Sequence, residues 1–140
     1  FDWLRAVSAG YGNAMAEWGQ HVHAAVADGG SAEATRRLLI ATDRALELLV
    51  EALMAIGRRH EDPNVPSGAA AVLNALDGLL GASAELLRDA RTGLEQHGLG
   101  ALAALSPRIA ELRALEAQVE TASERMHGRV TDTFGESHTG

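Results

Sequence analysis

Six histidines and nineteen carboxylates stand in a chain of 140 residues that has no cysteine. Any metal or acid–base chemistry must therefore be assembled from imidazole and carboxylate. Glu17 and His21 are four residues apart, which places a carboxylate and an imidazole one helical turn apart on one face, a donor pair suited to a divalent metal. Trp18 lies beside them. His97 closes a later apolar stretch and falls near the same end if the intervening helices run antiparallel. Glu17, Trp18, His21 and His97 together are the expected lining of a ligand or metal site. The plainer account makes His21 a core-edge histidine and gives His97 the role of a positive charge at a helix C-terminus, where it suits the dipole. Glu124 and His127 form an E-x-x-H, the spacing of di-iron bundles, but such centres need two of these motifs and two further carboxylates. The chain has one, and Met126, on the apolar row, turns both residues outward. No cofactor is expected.

Several chemistries are excluded outright. Without cysteine there are no disulfides, thiolate zinc sites or cysteine nucleophiles. All twelve basic residues are arginine, which removes Schiff-base lysines and the lysine of a phosphate loop. Arginine without lysine is what GC-rich coding favours. Gly-rich phosphate loops are absent, and Ser, His and Asp occur in no triad-like order. The net charge of −7 lacks the basic surplus that a phosphate-tracking surface requires, so nucleic acid is not an expected partner. Catalytic residues are not identified, and a non-enzymatic role is favoured over an enzymatic one.

The elements that must position these residues follow from three breaks. Gly29-Gly30-Ser31 ends one helix and starts another, with Ser31 as cap and Glu33 in the first turn. Pro63 and Pro66 forbid helix continuation, and Ser67 is the expected cap beyond them. Gly98 through Gly100 to Ser106-Pro107 forms the third break, with proline at a first helical position. Four amphipathic stretches remain, about 2 to 28, 32 to 60, 68 to 97 and 107 to 134. In the second, Leu39, Leu46 and Leu53 recur every seven residues, with Thr42, Leu49 and Ile56 three positions later. The third, with Leu73, Leu80, Leu87 and Leu94 flanked by Val72, Leu76, Leu79 and Leu86, has the widest apolar face and is expected deepest.

The expected fold is all-α, an up-down-up-down antiparallel four-helix bundle over residues 1–134 with a flexible tail over 135–140. The most apolar run, Leu38 to Gly57, is interrupted by Asp43, Arg44, Glu47 and Glu51, so it is no membrane span. Neither signal peptide nor targeting segment is recognisable, and the start at Phe1 reads as a processed chain or a piece of a longer one. The compartment stays open, with a slight preference for the cytoplasm.

Arg91 and His97, with five residues between them in an all-helical chain of this size, resemble the R-x(4–6)-H motif of the HEPN family, whose members are often ribonucleases. The resemblance covers seven residues and the helical format, and it departs at Thr92, where the family commonly has Asn. A second signal is glycine inside helices, at roughly 1 kcal/mol each relative to alanine. With Tyr11 and Trp18 facing the core, Ala9, Gly12, Ala16 and Gly19 form a small-residue stripe on the opposite side. Gly78 and Gly81 give the third stretch a lesser version. Small residues let a second helix approach closely. The expected function is therefore a helical interaction module that associates with a second copy or another helical protein through this face; the alternative is a sensor-type bundle binding a ligand or metal near Glu17, His21 and His97.

Overall fold

The computed structural model describes the backbone of residues 2–139 and the side chains of residues 2–128 other than that of Ser67. Among the described residues the chain is all-helical and has no strand. Its four long helices are α1 (Asp2–Ala27), α2 (Ala32–His60), α3 (Ala70–His97) and α4 (Ser106–Thr139). Short 3₁₀ segments, Ser67–Ala69 and Gly98–Leu105, lead into α3 and α4. The expected tail over 135–140 falls where side chains are outside the described residues.

The turn between α1 and α2 shows why the sequence breaks there. The Gly30 N–H donates to the Ala25 carbonyl at 3.0 Å and the Gly29 N–H to the Val26 carbonyl at 3.1 Å. That pair of bonds satisfies the last carbonyls of α1 and needs a left-handed residue, supplied by Gly29 at φ 72°. Ser31 then caps α2, its hydroxyl accepting from the Ala34 N–H at 3.2 Å. The other two caps differ from expectation. Helix α3 begins at Ala70 after a 3₁₀ turn, with Ala69 at the cap position and no side-chain cap bond from it; the side chain of Ser67, the expected cap, lies outside the described residues. Ser106 already has helical dihedrals, because the 3₁₀ segment runs straight into α4 instead of ending before it.

Helices α1 and α2 run antiparallel in register. Between α1 and α2, the Arg59 guanidinium lies 4.6 Å above the Trp3 ring, Glu17 faces Arg44 at 4.0 Å and Trp18 meets Thr42. Helix α2 is tied to α3 by Asp43 and Arg91, and α3 to α4 by Asp89 and Arg108. Helix α3 is the deepest, as its wide leucine face requires. Leu76, Leu80, Leu86 and Leu87 are fully buried, each contributing about 1.5–3 kcal/mol of transfer free energy. By composition the helical stretch Ala70–Gly128 contains a window apolar enough to span a bilayer, and half of that window is buried inside the protein.

In α2 the two expected rows are not equal. Thr42, Leu49 and Ile56 are buried with Leu38, whereas Leu39, Leu46 and Leu53 are half-buried at the core edge. Thr42 holds its place in an apolar row because a neighbour needs it. The Trp18 indole N–H donates to its hydroxyl oxygen at 2.9 Å, and the hydroxyl donates to the Leu38 carbonyl at 2.7 Å. An indole buried without that acceptor would cost about 1–3 kcal/mol.

Candidate functional site

A concavity lies between α1 and α4, floored by α3. It is a cleft of about 580 Å³, within the range of small-molecule sites. Leu4, Leu76, Leu79, Val119 and Met126 give it an apolar bed, while Arg5, Glu116, Glu120 and Glu124 line its polar side. The spacing of α4 explains that division. Val119 and Met126 are seven residues apart on its buried row, and the three glutamates follow one another at four-residue intervals on the flank facing α1.

Helices α1 and α4 are bridged across this cleft by a side chain. The buried Tyr11 hydroxyl donates to Glu116 Oε1 at 2.8 Å. Burial pushes the phenol above its ordinary value of 10.0; the bond to the Glu116 carboxylate pushes the same way, the Ser83 hydroxyl beside it pulls down, and the Glu116 charge adds to the rise. The phenol is thus held neutral as a donor. Ser83, itself buried on α3, donates to the Leu79 carbonyl at 2.7 Å. No buried side-chain polar atom among the described residues lacks a partner.

The residues expected to hold a metal are not brought together. Glu17 is exposed and turns toward Arg44 at 4.0 Å. Trp18 faces the core and spends its N–H on Thr42, so it lines no open site. His21 is half-buried on α1 and His97 is exposed at the end of α3. Among the described residues no three His, Asp or Glu side chains form a group able to hold a metal ion. Arg91, of the R-x(5)-H, is occupied by Asp43 and by Glu95 at 3.3 Å. Its guanidinium joins α2 to α3.

The small-residue positions stand on the surface. Ala9, Gly12, Ala16, Gly19 and Gly78 are exposed and Gly81 is half-buried. A Cβ built at Gly12, Gly19, Gly78 or Gly81 would meet nothing within 4 Å. The two stripes do not make one surface. Leu4 and Tyr11 of α1 share the cleft with Leu76 and Leu79 of α3, so the inward faces of the two helices look toward each other and their outer faces point apart. Gly10, outside the expected stripe, lies in a groove between α1 and α2 with Leu48 and Ala52.

No family model, curated protein or solved structure matches this chain. Function must therefore be argued from the geometry alone. Sequence reasoning missed the cleft, because the Tyr11–Glu116 pairing joins residues 105 positions apart that no local spacing relates. The one available signal was the row Glu116, Glu120 and Glu124, like charges that weaken a helix by a few tenths of a kcal/mol per pair.

Proposed function

We propose that this chain is a non-enzymatic helical interaction module, an up-down-up-down antiparallel four-helix bundle that self-associates through the outer face of α1. The antiparallel register of α1 and α2, the ion pairs that tie α2 to α3 and α3 to α4, and the Tyr11–Glu116 bridge from the first helix to the last support the bundle. Support for association comes from one observation above others. Gly12 and Gly19 carry a helix cost of roughly 1 kcal/mol each relative to alanine, yet among the described residues nothing occupies the space their missing side chains leave. Their smallness serves no contact inside the fold. A helix from a second copy, laid along Ala9, Gly12, Ala16 and Gly19, gains the close backbone approach that these residues permit. Because the stripe on α3 faces the other way, Gly78 and Gly81 belong to a separate contact and add nothing to this one.

The test is the native mass of the full chain in solution, by light scattering across a concentration series. The wild type is expected to associate. The Gly12→Leu/Gly19→Leu double variant is expected to retain its helical circular dichroism and to become monomeric. A monomeric wild type, or a variant whose mass matches the wild type, overturns the proposal.

A further inference from the structure

The cleft between α1 and α4 plays no part in the association just described, and its chemistry points to a ligand. Its bed is aliphatic, from Leu4, Leu76, Leu79, Val119 and Met126, and its polar side carries three glutamates against Arg5 and His127. Glu116 is engaged by Tyr11. Glu120 and Glu124 are exposed and have no ion pair among the described residues. The three carboxylates repel one another along one flank of α4. A cation placed there relieves that repulsion, and an apolar body attached to it covers the aliphatic bed. The cleft volume of about 580 Å³ suits a small molecule. We infer that the α1–α4 cleft binds a small cationic amphiphile, an aliphatic amine or quaternary ammonium whose chain lies on Leu76, Leu79, Val119 and Met126 and whose head faces Glu120 and Glu124. The neutral Tyr11 phenol keeps Glu116 turned to α1 and leaves the outer two carboxylates for the ligand.

Decyltrimethylammonium, decyl sulfate and decyl maltoside, each below its micelle concentration, can be titrated calorimetrically into the full chain. Saturable one-to-one binding of the ammonium is expected, with the sulfate and the maltoside much weaker. The Glu120→Gln/Glu124→Gln variant is expected to bind the ammonium about ten-fold more weakly or worse with unchanged helical circular dichroism. Ser123→Trp, which fills the cleft, should abolish binding of all three. The proposal is overturned if the sulfate binds as well as the ammonium, if the double glutamine variant binds like the wild type, or if uptake is unsaturable. It is equally overturned if a basic amphipathic peptide binds while the small ammonium does not.

Discussion

The two ends of α1 meet the rest of the chain in opposite ways. Near its C-terminal end, side chains of the 3₁₀ segment pack closely over glycine. A Cβ at Gly30, where φ is 74°, would sit 3.1 Å from Leu99 Cδ1, and one at Gly93 would sit 2.7 Å from the Cβ of Ala101. The 3₁₀ segment Gly98–Leu105 folds down onto α3 and the α1–α2 turn through those two gaps. Toward its N-terminal end, α1 presents Leu4, Arg5, Ser8 and Tyr11, and α4 presents Glu116, Glu120 and Met126. Long side chains hold the two helices apart, and a cleft remains. Interhelical distance follows the residues at the contact, so one molecule has a closed end and an open one without any change of secondary structure.

The sharpest way to break this comparison is to put bulk into the closed end. Gly93→Val places a branched side chain against the Ala101 methyl, whose position is fixed by its backbone, and overpacking of this kind costs about 1–3 kcal/mol. Urea unfolding is expected to show that loss as a lower midpoint with an unchanged slope. Adding Ala101→Gly should recover part of it, because the obstructing atom is gone. A Gly93→Val chain as stable as the wild type would mean that the 3₁₀ segment does not rest on α3 as described.

At the open end the bridging hydrogen bond is the quantity to remove. Tyr11→Phe is expected to lower stability at neutral pH by about 1 kcal/mol, the usual worth of one such bond. The pH dependence sharpens the reading. The folded-state pKa of the phenol is raised above its unfolded value of 10.0, so its contribution is fully present below pH 10 and is lost as pH rises toward the folded value. Wild-type stability should therefore fall above pH 10 more steeply than that of Tyr11→Phe. Since Tyr11 is the one tyrosine in the chain, phenolate absorbance reports it without overlap. A phenol that titrates near 10.0 in the folded chain would place it in water and remove the bridge.

The existence of all four helices and the break between α1 and α2 were legible because their signals are local, whereas α3 begins two residues later than expected and α4 runs past 134 to Thr139. Glycine pairs, prolines and a capping serine act within a few residues, and leucine periodicity marks the buried sides of α2 and α3 from the sequence alone. Val26 shows the limit: it continues the α1 row yet is exposed, while Ala25 beside it in the same turn is buried. Where the sequence misled, the cause was a partner at long range. Trp18, an expected lining residue of the alternative ligand site, donates its N–H to Thr42, and Arg91 of the R-x(5)-H is paired with two carboxylates. Glycine was the hardest to read. Gly93 and Gly12 are the same residue in the same secondary structure, and only the neighbours reveal that one is required by this fold and the other is not.

That distinction yields the smallest effect and the most discriminating one. Gly12→Ala and Gly19→Ala add methyl groups that meet nothing in this chain, so each is expected to raise the stability of the monomer by about 0.4–1 kcal/mol through lost unfolded-state entropy and better helix propensity. Measured by urea unfolding at high dilution, the increments should add, the sites being two turns apart with no shared neighbour. The same methyls lie where a second copy is proposed to approach, so at high concentration they should weaken association. Opposite signs in the two regimes are required if the glycines serve a contact between chains. A gain in stability that is the same at every concentration would reduce Gly12 and Gly19 to unoptimised surface, and the contrast with Gly93 would then be one between a used glycine and an idle one.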